Sequence, residues 1–256
     1  MRDYKKETEE RVAFIRHLLE KSHAAGIVFG NSGGKDCALV GILSKMACSN
    51  TVSVMLPCGS SVNFGKDLED AKALCEKFDI ENRMVDLTKV KEAEIAALEN
   101  AGTKLNSQAL TNIAPRLRMT TLYAIGAAEN RLVAGTGNRS ERFMGYFTKW
   151  GDGGHDFNPI SDLTVGEVYE FLRYLGAPDS IIEKAPSAGL FEGQTDEKEM
   201  GVTYAAIDRY ILTGEATEED KAIIERYHSR SLHKLEPVPT FENFLSFEKE
   251  RKQRKL

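Results

Sequence analysis

The 256 residues suffice for one large domain or two small ones, and a hydrophobic fraction of 41% beside 29% charged residues is ordinary for a globular protein. The net charge of −5 at pH 7 argues against a broad surface for nucleic acid or membrane, since both are polyanionic, and we expect neither as a partner. The four cysteines contain no C-x-x-C pair, and the sequence shows no signal segment and no run of about 18 apolar residues, so we expect a cytoplasmic protein.

Helices and strands are predicted to alternate over the first half of the chain, which opens with an amphipathic helix at 3–22. Strands are predicted at 26–30, 51–56, 82–86 and 131–135, with helices between them at 36–47, 67–78, 88–99 and about 112–129. Strands that alternate with helices of this length form right-handed βαβ units. The pattern therefore predicts an α/β fold with a doubly wound, mainly parallel sheet flanked by helices.

The second half is richer in loops. A long glycine-rich connection is predicted at 135–154, and a second polar loop lies at 186–201, of which we expect residues 186–200 to order over a bound nucleotide. Helices are predicted at 164–175, 203–213 and 217–231. The first of them has a capping box formed by Thr164 and Glu167 and ends at Gly176.

The most informative segment is residues 30–37, Gly-Asn-Ser-Gly-Gly-Lys-Asp-Cys, between an apolar strand and a helix. Its adjacent glycines let backbone N–H groups close on an oxyanion, and the helix N-terminus adds partial positive charge. The spacing differs from the Walker pattern. Ligands of parallel sheets bind beyond the carboxyl ends of the strands, where this loop and the segment after Ala134 both fall. The segment therefore predicts a phosphate site, although an ordinary strand–turn–helix glycine pair is the alternative.

A second stretch, residues 135–156, supplies Thr136, Glu141, Lys149 and Asp156. The loop at 30–37 resembles the pyrophosphate-binding loop of ATP pyrophosphatases. Together with the run Phe-Thr-Lys-Trp-Gly-Asp-Gly-Gly, it makes the chain resemble the ammonia-dependent NAD synthetases. Further blocks keep the order of that family: Arg116-Leu-Arg-Met119, Lys184-Ala-Pro-Ser187, Gln194-Thr-Asp-Glu197 and His233-Lys234.

The resemblance implies an adenine nucleotide α-hydrolase-like fold, a single domain over 1–256 without a glutaminase domain, and a homodimer. It also implies a reaction in two steps. The nicotinate carboxylate of deamido-NAD attacks the α-phosphate of ATP, and ammonia then displaces AMP to leave NAD. Carboxylate and triphosphate repel each other, so Mg²⁺ is expected as a cofactor.

The resemblance assigns roles to individual residues. The residues expected to bind ATP are Gly30, Asn31, Ser32, Gly33, Gly34, Lys35, Asp36, Cys37, Thr136, Lys184, Ser187 and Thr195. Those expected to bind deamido-NAD are Arg116, Lys149, Asp156, His233 and Lys234. Asp36 and Glu141 are expected to hold Mg²⁺, and these two carboxylates are counted as catalytic together with Lys149 and Asp156. Asp156 is the candidate for orienting or deprotonating ammonium.

Each assignment has a structural alternative. The alternative for Asp36 is a helix-capping acid, for Glu141 an acid in a surface loop, and for Arg116 a solvated helix charge. His233 and Lys234 lie near a predicted helix end, and their alternative role is a favourable interaction with the helix dipole. Two positions depart from the family: Cys37 stands in place of a usual serine, and Val165 in place of a frequent lysine. The rival functions are another ATP pyrophosphatase that adenylates a carbonyl oxygen, and a nucleotide-binding module without catalysis. A dinucleotide-binding dehydrogenase is excluded because no G-x-G-x-x-G follows a strand.

Overall fold

The structure is a computed structural model that describes residues 2–59, 65–184 and 196–241. Its sheet is parallel throughout, with the strand order β3-β2-β1-β4. The strands are β1 (Gly26–Gly30), β2 (Thr51–Met55), β3 (Glu81–Met84) and β4 (Arg131–Ala134). The chain builds outward from β1 to β3 and then returns to place β4 on the other side of β1. The topological switch point therefore lies between β1 and β4, and the predicted doubly wound fold is confirmed.

Helices cover both faces of the sheet. They are α1 (Tyr4–Ser22), α2 (Lys35–Ala47), α3 (Lys66–Lys77), α4 (Thr88–Asn100), α5 (Ser107–Glu129), α6 (Arg139–Met144), α7 (Val165–Leu175), α8 (Asp179–Ile182), α9 (Asp196–Met200), α10 (Tyr204–Thr213) and α11 (Glu218–Leu235). The bounds of the predicted helices agree with the observed ones to within a few residues except at α5. The short helices α6, α8 and α9 were not predicted, and α9 lies in the stretch at 186–201 that was predicted as a loop. In the described part of the chain, none of these helices is both long enough and apolar enough to span a membrane.

The side chains of β1 show how the two layers form. Ile27 and Phe29 lie in one buried cluster with residues of α1, α2 and α7, whereas Val28 lies in a second cluster with residues of β2 and α5. Successive strand residues point to opposite faces, so a continuous apolar run suits a strand that is covered on both sides. A third cluster joins α6, α7, α10 and α11. The sheet is therefore a rigid base for the loops at its carboxyl edge.

Helix α5 begins at Ser107, about five residues before the predicted start. Asn106 caps it by accepting a hydrogen bond from the backbone N–H of Ala109 at 2.9 Å. Pro115 lies inside the helix, as it does in the predicted range, and removes one N–H donor. Ala114 and Leu122 are buried against the sheet, and this packing holds the helix through the proline.

The predicted connection at 135–154 contains the short helix α6. Asn138 and Glu141 form a capping box at its start, with Asn138 Oδ1 accepting from the Glu141 N–H at 3.0 Å and Glu141 Oε2 accepting from the Asn138 N–H at 3.1 Å. Six residues are too few to show a helical hydrophobic period, and so the pattern indicated a loop.

An ion cluster ties the end of α5 to the outer strands. Arg83 of β3 donates to Glu129, and the Nε of Arg131 in β4 lies 2.7 Å from the other carboxylate oxygen. The hydrogen bonds from Arg83 and Arg131 lower the pKa of Glu129 to about 2.

Candidate active site

A cleft of about 1150 Å³ opens beyond the carboxyl ends of β1 and β4. Its walls are the loop after β1, the start of α3, the inner side of α5, residues 133–154 and the second half of α11. This is the switch point of the sheet, where an open α/β fold leaves a crevice between loops that run in opposite directions. The predicted phosphate loop and the segment after Ala134 meet here.

The loop after β1 is held in one shape by Asn31 and Gly33. The buried Asn31 side chain accepts from the Gly33 N–H at 3.0 Å and donates to the Ser53 hydroxyl of β2 at 3.0 Å. Gly33 has a φ of +71°, and a Cβ there would lie 2.1 Å from the backbone oxygen of Asp67 in α3. Position 33 therefore requires glycine for its conformation and for the close approach of α3.

Gly34 is the N-cap of α2 and offers no side chain to the first-turn N–H groups. These donors and the helix dipole are the physical basis of an anion site. The N–H of Gly33 is directed to Asn31 instead. At the other end of the loop, the Ser32 hydroxyl lies 3.3 Å from the buried Cys37 thiol, and burial raises the pKa of that thiol. Cys37 is thus a neutral neighbour of the loop.

Asp36 and Glu141, predicted as the Mg²⁺ carboxylates, are brought together from α2 and α6. The amide of Asn138 donates to Asp36 Oδ1 at 3.1 Å, and the same residue caps the helix that carries Glu141. Lys35 lies between the two acids, with its Nζ 2.7 Å from Asp36 Oδ2 and 4.0 Å from Glu141 Oε1. Their side chains are only 14% and 19% exposed.

The electrostatics of this group reflect burial and charge. Burial, together with the neighbouring Asp36, raises the pKa of Glu141, while Lys35 opposes the rise. Burial alone would lower the pKa of Lys35, but the attraction of Asp36 and Glu141 outweighs it and the pKa is raised. Asp196 is also buried nearby and accepts from the hydroxyl of Tyr204 at 3.0 Å.

The carboxylates of Asp36 and Glu141 are the two protein groups here that would bind a metal ion. Among the described residues, no group of three or more histidine, cysteine, aspartate or glutamate side chains is gathered to hold an ion. Mg²⁺ commonly takes one or two carboxylates and completes its shell with water and substrate phosphates. The pair Asp36 and Glu141, next to an anion-binding helix end, fits that requirement.

The predicted cationic residues for the second substrate converge from three elements. Lys149 Nζ donates to the carbonyl of His233 at 2.5 Å, and the guanidinium of Arg116 reaches the Lys149 carbonyl at 3.4 Å. Lys234 Nζ donates to the carbonyls of Gly145 at 2.7 Å and Phe147 at 2.6 Å. Burial lowers the pKa of Lys234. His233 and Lys234 of α11 line the cleft, whereas Arg116 and Lys149 are joined to them by these contacts and are not among the residues that line it.

The remaining predicted ATP residues divide into two groups. Gly30, Thr136 and Lys184 line the cleft, and Lys184 Nζ lies 2.5 Å from Asp67 Oδ1 and 3.0 Å from Asp70 Oδ2. Ser187 and Thr195 lie outside the described residues, as does most of the predicted nucleotide-ordered loop at 186–200.

Asp156 is exposed and is not among the described residues that line the cleft. Its carboxylate accepts from the N–H of Val133 at 2.8 Å and from the hydroxyl of Tyr123 at 3.0 Å. Its assignment to ammonium stays a prediction, and the structure adds a role in joining α5 to β4.

Sequence reasoning missed three residues in or beside the cleft. Asp152 lines it, with its carboxylate accepting from the N–H of Thr148 at 2.9 Å. Arg118 lines it as well and donates to the Leu56 carbonyl at 2.9 Å. Asn138 braces Asp36 and is fully buried. The first two belong to motifs already quoted, and the Asn-x-x-Glu spacing was a detectable signal for the third.

The family model described as NAD synthase matches residues 7–239. The chain belongs to the NAD synthase family. This NAD synthase family chain is 47% identical to the "NH(3)-dependent NAD(+) synthetase" of Carboxydothermus hydrogenoformans, over 91% of its own length and 95% of the relative. It is 40% identical to the protein of the same name from Archaeoglobus fulgidus, over 93% and 96% of the two chains.

Solved structures agree with the family and differ in their named product. The chain matches an NMN synthetase from Francisella tularensis with a TM-score of 0.88 and 36% identity, over 94% of this chain and 99% of that one. It matches an NH3-dependent NAD synthetase from Campylobacter jejuni with a TM-score of 0.78 and 30% identity, over 94% and 100%. A glutamine-dependent NAD synthetase from Acinetobacter baumannii, 19% identical and covered over 47% of its length, shares the fold.

Proposed function

We propose that this protein is an ammonia-dependent NAD synthetase, which adenylates the nicotinate carboxylate of deamido-NAD with ATP and then amidates it to give NAD, AMP and pyrophosphate. The observation that carries the proposal is the meeting of the phosphate loop with the carboxylates of Asp36 and Glu141 at the switch point. It is supported by relatives named for this activity that align along nearly their whole length.

In the first step, two anions must approach each other. The first-turn N–H groups of α2 and the Lys184 ammonium face the side of the cleft where the triphosphate would lie, and they offset its charge. Asp36 and Glu141 would hold Mg²⁺, which when bound supplies charge neutralisation for the phosphates. The attack of the carboxylate oxygen on the α-phosphorus expels pyrophosphate and leaves an acyl-adenylate.

In the second step, ammonia adds to the activated carbonyl carbon and AMP leaves. The positions Arg116, Lys149, His233 and Lys234 would hold the phosphates of the pyridine nucleotide, so that the carbonyl carbon of the acyl-adenylate is open to attack by ammonia. Ammonium must lose a proton before it attacks, and Asp156 is our candidate for the group that accepts this proton. Free ammonia is proposed as the nitrogen donor because the matching relatives are named as NH(3)-dependent enzymes.

A second candidate function is favoured by one observation, the likeness to an NMN synthetase at a TM-score of 0.88. The same two steps on nicotinate mononucleotide would give NMN. The two substrates share the reacting carboxylate and differ only in the AMP moiety, so the adenylation site described above serves either of them.

The test is the release of AMP from ATP and Mg²⁺ with deamido-NAD or with nicotinate mononucleotide, each in the presence of ammonium, glutamine or no nitrogen donor. We expect NAD from deamido-NAD with ammonium, and no product with glutamine. A higher kcat/KM for nicotinate mononucleotide than for deamido-NAD would show that NMN synthesis, not NAD synthesis, is the function. The absence of AMP with both substrates would refute an amidating role.

We further propose that the protein is a single-domain homodimer and that it acts in the cytoplasm. All four cysteines are free thiols, which suits a reducing compartment. Helix α4 contributes no buried residue and leaves Val90 47% exposed, so its outer face is available to a second copy. Light scattering coupled to size exclusion tests the dimer, and a mass near 28.4 kDa would refute it.

A further inference from the structure

Lys35 is the least expected member of the phosphate loop. Its side chain is only 7% exposed, and burying an ammonium is costly unless opposite charges surround it. It has them, because its Nζ lies 2.7 Å from Asp36 and 4.0 Å from Glu141. Two aromatic rings complete the surroundings, those of Tyr204 at 5.8 Å and Tyr169 at 5.9 Å from Nζ to the ring centroid.

This ammonium lies beside both of the carboxylates that would hold a divalent cation. Its Nζ contacts Asp36 Oδ2 at 2.7 Å and is within ion-pair distance of Glu141 Oε1 at 4.0 Å. Two buried carboxylates without a cation would repel each other. Lys35 therefore satisfies the same electrostatic need as the metal.

We propose that Lys35 is an internal counter-cation that holds Asp36 and Glu141 in place in the metal-free protein and competes with Mg²⁺ for them. It is a positioning residue, and the inference rests on the proposed function because it takes these two carboxylates as the metal ligands. Metal entry requires Nζ to move away from Asp36 Oδ2. The protein thereby avoids an unpaired acidic site between turnovers, at the cost of weaker metal affinity in the absence of nucleotide.

The experiment measures Mn²⁺ binding by electron paramagnetic resonance, without nucleotide or pyridine substrate, for wild type, Lys35→Met and Lys45→Met. Lys45 is the matched control because it is on the same helix and pairs with Asp79 at 3.2 Å, far from the cleft. Removing a positive charge within a few ångströms of the metal should tighten Mn²⁺ binding about tenfold or more in Lys35→Met and leave it unchanged in Lys45→Met. Equal binding by wild type and Lys35→Met, including no detectable binding by either, would overturn the proposal.

Thermal unfolding supplies a second readout. In EDTA, Lys35→Met should unfold at a lower temperature than wild type, because Asp36 and Glu141 face each other without a cation. Added Mg²⁺ should raise its Tm by more than it raises that of wild type. A purely structural loss of packing would lower Tm equally with and without Mg²⁺, and that result would contradict the proposal.

If Lys35→Met fails to fold, the wild-type protein decides the question, and Lys35→Arg serves only to assign its signal. In a ¹H–¹⁵N spectrum selective for lysine ammonium groups, the Lys35 signal should shift when Mg²⁺ is added in large excess over the protein. An unchanged signal would overturn the proposal. None of these measurements uses a pyridine nucleotide, so a failed substrate assignment would show in the AMP assay and not here.

Discussion

Replacing Gly33 by alanine tests whether the shape of the phosphate loop is fixed by close approach to α3. The added Cβ would lie 2.1 Å from the backbone oxygen of Asp67, whereas ordinary contacts begin at 3.4 Å. The two segments must therefore separate by about 1.3 Å, the difference between these distances. Both contacting groups belong to the backbone or to Cβ, so no side-chain rotation relieves the clash.

The cost has two parts. An alanine at φ +71° costs about 1–2 kcal/mol through the left-handed conformation alone. Forcing extra atoms into a packed contact costs about 1–3 kcal/mol more. We therefore expect a loss of about 2–5 kcal/mol in the free energy of unfolding. A displacement of about 1 Å at the phosphates should lower kcat/KM for ATP by about a hundredfold or more.

The matched control is Gly214→Ala. Gly214 caps α10 at a φ of +76°, and an added Cβ would meet nothing within 4 Å. This variant should lose about 1–2 kcal/mol of stability and keep wild-type activity. Urea unfolding and AMP release with deamido-NAD and ammonium provide the two readouts.

The comparison can refute the reasoning. If Gly33→Ala releases AMP at the wild-type rate and is as stable as Gly214→Ala, then the contact with α3 does not fix the loop. If both variants lose activity to the same extent, general destabilisation explains the loss.

Three other substitutions test separate parts of the structure. Glu129→Gln removes a carboxylate whose pKa is lowered to about 2 in the folded protein, so its stabilisation is present above the ordinary value of 4.5 and is lost as the pH falls toward 2. Because the pair is partly exposed, we expect a loss of about 0.5–1 kcal/mol at neutral pH, measured by urea unfolding. The loss should shrink below the ordinary pKa of 4.5 and disappear as the pH falls to about 2, and an equal loss at neutral pH and near pH 2 would contradict the assignment. Asp36→Ala should abolish pyrophosphate release and leave the far-ultraviolet circular dichroism unchanged, and near-wild-type release by the folded variant would disprove its role at the metal. Asp156→Asn should slow amide formation more than it weakens ATP binding measured by calorimetry. Tyr123→Phe is the control, because it removes one hydrogen bond to Asp156 and keeps the carboxylate charge. An equal loss of ATP affinity would count against Asp156 as the residue that orients or deprotonates ammonium.

The parallel sheet was predictable because β1, β2 and β4 contain short apolar runs that alternate with long helices, whereas β3 is polar. The strands at 26–30 and 131–135 carried enough local signal to be placed within one residue. Helix α5 shows the limit of such signals, since it begins at Ser107, where Asn106 caps it, about five residues before the predicted start. Helix α6 shows another limit. Its six residues are too few to show a helical hydrophobic period, so its capping box is the only local signal for it.

The sequence named candidate residues for the site but did not indicate their geometry. The motifs named Asp36 and Glu141, but only the fold brings residues 105 positions apart to one lysine. The sequence could not indicate that the Gly33 N–H is bound to Asn31, since that contact depends on a side chain turned back within its own loop. It also could not show that Asp156 bonds β4, which requires the register of the 155–157 segment beside that strand.

The contacts of Asn31 link the phosphate loop to structure that no substrate touches. Its amide reaches the Ser53 hydroxyl in the sheet and, at 3.4 Å, the Ala71 carbonyl in the middle of α3. A shift of α3 is therefore transmitted directly to the N–H groups that border the anion site. Truncating Leu74, which is fully buried on the inner side of α3, should therefore weaken nucleotide binding as well as lower stability.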